Sequence, residues 1–178
     1  MLTRTGAAFI AVLALGLSAP AWADFNQDVE HCTSDKPQTP PDIKIGACTR
    51  LIQSGQLDNN NLSIVFWNRG TGYNRKGQYD QAIRDFDETI RLKPDDAYAF
   101  NNRGNAYAGK GEYDRAIRDF DEAIRLKPDY ARAFGNRGEA YEKLGRRDQA
   151  LRNYKKLYEL GSHPKWLIDK LREYGELP

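Results

Sequence analysis

The sequence predicts an all-α fold, a solenoid of helix–turn–helix repeats, and two observations carry that expectation. The run GQYDQAIRDFDETIRLKPD at 77–95 returns 34 residues later as GEYDRAIRDFDEAIRLKPD at 111–129, with three changes. A ladder of aromatic, Gly, Tyr, Gly, Ala and aromatic residues also keeps the same register in three copies. The first is Phe66, Gly70, Tyr73, Gly77, Ala82 and Phe86; the second is Phe100, Gly104, Tyr107, Gly111, Ala116 and Phe120. The third is weaker but in step, with Phe134, Gly138, Tyr141, Gly145, Ala150 and Tyr154. A period of this size marks a unit that buries its apolar face only by stacking, and three copies are about the minimum for stability.

Each element of a copy has its own local reason. The aromatic, Gly and Tyr at spacings of four and three share one face of a first helix, and Ala with the second aromatic shares one face of a second. Ala82 and Ala116 stand where two backbones approach, so a larger side chain there should overpack at roughly 1–3 kcal/mol. The Gly between the helices ends the first one in a left-handed residue. Asp80, Asp114 and Asp148 then begin the second, as caps or as dipole partners. Pro94 and Pro128 stop it and turn the chain into the next copy, and Asp95 and Asp96 read as turn residues.

The two ends differ from the repeats. Arg4 is the only charge before an apolar run from Ala7 to Pro20, and Ala21, Trp22 and Ala23 give a cleavage pattern ahead of Asp24. This predicts a secretory leader rather than a membrane span, because the apolar core is too short. Cys32 and Cys48 are the only cysteines. In the oxidising compartment that a leader implies, they are expected to form a disulfide worth roughly 3 kcal/mol on the chain-entropy model. One period back from Ala82 lies Cys48, so Asp42–Ser54 reads as the second helix of a degenerate copy whose first helix is mostly lost. At the other end Pro164 opens a short helix carrying Leu167, Ile168, Leu171 and Tyr174 at helical spacing, with Gly175 as a stop. It reads as a solvating cap with Trp166 packed inside, a partner anchor being the alternative for that residue. The expected organisation is a leader at 1–23, an irregular segment plus half-repeat at 24–62, repeats at 63–96, 97–130 and 131–162, and a capping helix at 163–178.

Composition narrows the function. The chain holds 27 basic against 25 acidic residues, and losing Arg4 with the leader leaves the balance at one positive charge. That gives no basic face for nucleic acid. The interleaved charges, with Asp87 and Arg91 or Asp121 and Arg125 four apart, read as a solvated outer helix face. The two histidines, His31 and His163, sit at opposite ends, which leaves no Ser, His and Asp set and no metal site. No paired-Cys redox motif, H-E-x-x-H, P-loop or Gly-rich dinucleotide loop occurs. The reading is a non-enzyme without cofactor or metal.

The motif aromatic–x3–Gly–x2–Tyr–x8–Ala–x3–aromatic–x7–Pro on a 34-residue period resembles the tetratricopeptide repeat over roughly 63–162. The third copy departs from it, with Ser162 in place of the Pro and Leu157 where a small residue is usual. The resemblance implies a right-handed array that presents a concave, non-catalytic face to a protein or peptide. Carried onto this sequence, the groove positions are Trp67, Asn68, Thr71 and Asn74, then Tyr98, Asn101, Asn102 and Asn105, then Arg132, Asn136, Glu139 and Lys143. Amides there suit an extended peptide backbone, since each offers donors and an acceptor. Asn68, Asn102 and Asn136, each followed by Arg-Gly, read equally as inter-repeat hydrogen-bonding residues. Asn101, Asn105 and Arg132 do not recur, which favours ligand contact. The family's five-residue carboxylate clamp is matched only at Asn102, with Arg132 as a basic stand-in, so that specific activity is not expected. The expected protein is an interaction module of the bacterial envelope, periplasmic or secreted; a component that assembles through its ends or by self-association is the alternative.

Overall fold

The computed structural model describes residues 19–34 and 39–177. Among them the chain forms helices and no strands. The leader expected at 1–23 lies outside the described residues except for 19–23, which are helical. The chain divides into two compact units, one ending at Pro94 and one beginning at Asp95.

The first unit contains α1 (Ala19–Thr33), α2 (Pro41–Ser54), α3 (Asn59–Arg75) and α4 (Tyr79–Leu92). The segment before Cys32, expected to be irregular, is helical as α1. The physical reason is a stripe that the prolines downstream obscured. Phe25, Val29 and Cys32 fall on one helix face and meet Ala47, Cys48, Leu51 and Val65. A disulfide between the wholly buried Cys32 and Cys48 ties α1 to α2, with Cα atoms 4.9 Å apart. Arg50 adds a forked contact to Asp28, with Nε donating at 2.9 Å. Helix α3 starts a turn earlier than the period implies, because the Asp58 carboxylate accepts from the Asn61 N–H at 2.8 Å and nucleates the helix there.

The second unit contains α5 (Ala97–Gly109), α6 (Tyr113–Leu126), α7 (Ala131–Lys143), α8 (Arg147–Glu159) and α9 (Lys165–Glu173). Consecutive helices pack as α5 on α6, α6 on α7, α7 on α8 and α8 on α9. Asp96, expected in a turn, caps α5 by accepting from the Tyr98 and Ala99 N–H groups at 3.0 and 3.2 Å. Asp80, Asp114 and Asp148 lie in the first turns of α4, α6 and α8 without capping them. Of their two expected roles only the dipole interaction remains.

One contact recurs in the three repeat pairs α3–α4, α5–α6 and α7–α8. A Cβ placed on Gly70 would meet Phe86 Cε1 at 2.9 Å, one on Gly104 would meet Phe120 Cε1 at 2.6 Å, and one on Gly138 would meet Tyr154 Cε1 at 2.6 Å. The ladder's Gly is thus the hollow into which the partner aromatic fits, and Phe86, Phe120 and Tyr154 are wholly buried. The turn that folds one helix back on the other needs a residue at positive φ, supplied by Gly77 at 71° and Gly111 at 80°. Where the third copy carries the large Leu157, the facing helix carries Gly135, whose Cβ position lies 3.3 Å from Leu157 Cδ2.

The outer charges pair at three-residue spacing and between helices. Arg91 meets Glu88 at 2.9 Å and Arg125 meets Glu122 at 2.5 Å, both three apart, while Asp121 receives Arg137 from α7. At the far end Leu167 and Leu171 of α9 complete the cluster around Phe134, Tyr154 and Leu157. Trp166, expected to be packed inside, is 42% exposed. It falls beside the Leu167–Leu171 stripe, and only its ring edge meets Tyr154, centroids 5.8 Å apart. The Tyr154 hydroxyl and the Lys170 ammonium both donate to Glu142, at 2.9 and 2.6 Å, joining α7, α8 and α9.

Two outcomes follow from this packing. Gly104→Ala and Gly138→Ala should each destabilise the second unit by about 1–3 kcal/mol in urea unfolding, since wedging a methyl against a buried ring forces the helices apart; unchanged midpoints would exclude the close approach. Burial raises the Glu142 carboxyl, but hydrogen bonds from Lys170 and Tyr154 outweigh it and hold the group below the ordinary carboxylate range. A carboxylate lowered in the folded state stabilises above its unfolded value, about 4.3, and that contribution is lost as pH falls through the folded value. The urea midpoint should therefore fall less for Glu142→Gln than for wild type between about pH 5.5 and 3.5. Equal falls would remove Glu142 from the docking of α9.

Candidate functional site: polar faces of the first helices

The twelve groove positions fall on three helices, and each set shares a face. On α5, residues 98, 101, 102 and 105 are spaced at three, one and three; on α7, residues 132, 136, 139 and 143 are spaced at four, three and four. The Asn136 Nδ2 donates to Asn101 Oδ1 at 2.9 Å, so the two faces lie side by side.

That bond changes the reading of Asn101. Its failure to recur suggested ligand contact, but the residue is 0% exposed and serves as the acceptor that holds α7 to α5. Its own Nδ2 faces Asn102 Oδ1 at 3.4 Å. Tyr98 is also engaged, its ring edge-on to Tyr130 at 5.0 Å and its hydroxyl accepting from Lys127 at 3.0 Å. What α5 and α7 present outward are the half-buried Asn102, Asn105 and Asn136 and the exposed Arg132, Glu139 and Lys143. The Glu139 carboxyl is held above its ordinary range, first by burial against the helix face and then by Glu142, with Lys143 opposing. The face therefore carries amides flanked by both signs of charge, suited to a peptide backbone with mixed side chains.

On α3 the polar residues are turned largely inward. Asn68 is buried, donates to Ile64 O at 2.9 Å and accepts from the buried Lys44 of α2 at 3.2 Å. Thr71 donates to Trp67 O at 2.6 Å, an ordinary back-bond within the helix. Trp67 and Asn74 are half-buried, and the buried Asn74 Oδ1 has no hydrogen-bond partner among the described residues. Asn68 and Asn136 thus both connect their helix to another one, which favours the structural role for the recurring Asn.

The sequence reading missed the next residue of that motif. Arg69 grips Asp85 with Nε and Nη2 at 2.8 and 2.7 Å, and Arg103 grips Asp119 at the same two distances. Both acids are buried, unlike the solvated outer face read from the interleaved charges around them. Burial pushes the Asp85 carboxyl up while the Arg69 hydrogen bonds pull it down. The available signal was the fixed offset of sixteen residues between Arg and Asp in two copies. In the third copy the acid is replaced by Asn153, which accepts from Arg137 Nε alone, at 2.8 Å.

The Asn101–Asn136 pair yields a direct test. In a double-mutant cycle with Ala at each position, urea unfolding should return a coupling of about 0.5–1.5 kcal/mol. Asn101→Ala alone should cost about 1–3 kcal/mol, because it strands a partner and opens a hole. Zero coupling would dismiss the bond.

Among the described residues no helix is long and apolar enough to cross a membrane. Family models described as TPR repeat match residues 70–111 and 104–145, and one described as tetratricopeptide repeat matches 131–160. The crystal structure of MamA is similar, with a TM-score of 0.62 and 28% identity over 68% of each chain. The first TPR of Spaghetti (RPAP3), bound to the HSP90 peptide SRMEEVD, has a TM-score of 0.61 and 25% identity over 64% of this chain and 90% of that one. The second TPR domain of human RPAP3, in complex with the HSP70 peptide SGPTIEEVD, has a TM-score of 0.61 and 28% identity over 65% and 97%. No curated protein matches the chain.

Proposed function

The chain belongs to the tetratricopeptide-repeat family, and from that premise we propose that it is a non-catalytic adaptor that holds an extended segment of a partner protein. The observation that carries this reading is the outward polar face shared by α5 and α7, fixed in place by the bond from half-buried Asn136 to buried Asn101. Asn105 and Asn102 supply donors and acceptors for a peptide backbone, and Arg132, Glu139 and Lys143 select its side chains. Two similar structures hold peptides, which supports a peptide as the ligand class. The departures at Trp67, Thr71 and Asn136 argue against the family's carboxylate clamp here. The leader pattern at 1–23 and the buried disulfide support action in the bacterial envelope or outside it. On this reading the irregular segment plus half-repeat at 24–62 precedes the repeats at 63–96, 97–130 and 131–162, and the cap at 163–178 follows them.

The exposed Trp166 favours a second reading, assembly through the α9 end. The two are separated by crosslinking and recovery from a native envelope extract, comparing wild type with an Asn105→Ala, Arg132→Ala variant and with Trp166→Ala. The groove reading expects the main partner to drop at least tenfold with the double variant and to persist with Trp166→Ala. The reverse pattern, or a chain that dimerises through Trp166 in light scattering, replaces it with the assembly reading.

A further inference from the structure

We infer that a second binding site, separate from the α5–α7 face, lies between α7 and α8 and takes the carboxylate of an acidic side chain from a partner peptide. In the first two copies the ladder's Arg closes a two-toothed fork on a buried Asp of the following helix. In the third copy that Asp is Asn153, whose Oδ1 satisfies Arg137 Nε and whose Nδ2 is spent on Gln149 O at 2.7 Å. Arg137 Nη1 is taken by Asp121. Its Nη2, the tooth that meets a carboxylate oxygen in Arg69 and Arg103, has no acceptor among the described residues.

An open cavity of about 310 Å³ sits at this position, lined by Phe134, Arg137, Tyr141, Gln149, Arg152 and Asn153. Arg137 and Arg152 line it, and the Asp121 carboxylate that holds Arg137 Nη1 is not part of the lining. Arg152 is exposed and makes no ion pair among the described residues. Arg137 is set over the Phe134 ring, 5.4 Å from its centroid, which fixes the guanidinium plane. A carboxylate entering the cavity meets Arg137 and Arg152 on its lining, while Asn153 stands where the other copies carry their Asp and leaves Arg137 Nη2 without an internal acceptor. Planar guanidinium groups favour this geometry over that of a point charge. The aromatic walls accept the methylene or a neighbouring apolar side chain. The site lies on α7 and α8, away from the groove positions, so it does not depend on the groove reading.

The test restores the missing acid. With the full chain labelled in its arginine Nε–H groups, the Arg137 signal is followed by NMR during titration with three probes. These are acetyl-Gly-Asp-Phe-amide, acetyl-Gly-Gly-Phe with a free C-terminus, and acetyl-Gly-Gly-Phe-amide. The Asp peptide should move the signal saturably and the amide without acid should not. A shift by the free-terminus peptide alone would overturn the side-chain assignment. Asn153→Asp should refill the fork and weaken the Asp peptide at least tenfold while circular dichroism stays unchanged. Arg152→Ala should weaken it severalfold, and Asn105→Ala with Arg132→Ala should leave it alone. Equal binding to Asn153→Asp, or loss only in the Asn105 and Arg132 variant, would overturn the site; the latter would place the peptide in the groove.

Discussion

The repeats of this chain rest on a ring seated in a hollow. In each of the three repeat pairs a glycine in the first helix leaves room for a buried aromatic from the second, with no space for even a methyl group. That approach brings Arg69 and Arg103 within reach of Asp85 and Asp119. In the second unit it also sets α7 at the distance from which Asn136 reaches Asn101. Packing without voids is what allows a small shift at one such contact to be felt at the next.

The Arg–Asp forks are a different kind of constraint. Taking a carboxylate and a guanidinium out of water is expensive, and the pair offsets that cost only through good two-point geometry. Such a pair adds little net stability but penalises any register in which one partner is left alone. It is therefore a device for pairing the right helices, and it recurs where the sequence repeats most faithfully. The third copy relaxes it, with Asn153 for the acid and Tyr154 for the Phe. Tyr154 finds its own acceptor in Glu142, and Lys170 of the capping helix shares that acceptor. A terminal pair that has lost one polar contact has gained another with the cap.

The fold was legible because its signals were periodic and local. The Gly–aromatic ladder, the left-handed turn glycines and the Pro stops each stated their role in isolation. The helix at α1 was not, since its apolar face is short and needs Ala47, Leu51 and Val65 of other helices to become visible. The site was read less well for a related reason. Recurrence separates repeated from unrepeated positions, but it does not tell buried from exposed. Asn101 looked variable and proved buried, whereas Asp85 and Asp119 stand among interleaved charges and proved to be halves of forks. Trp166 looked like a core residue because tryptophan usually is, yet the stripe of α9 runs through its neighbours. In each case the deciding fact is a partner far away in sequence.

On the proposed reading the outward residues of α5 and α7, held by the bond between buried Asn101 and half-buried Asn136, are the surface that meets the partner. Site-specific photocrosslinking in the native envelope tests it most directly, with the crosslinker placed singly at Asn102, Asn105 and Arg132 and, for contrast, at Arg118 on α6. The account predicts a common partner adduct from the first three positions and none from Arg118. A dominant adduct from Arg118, with none from the α5 and α7 positions, would contradict it.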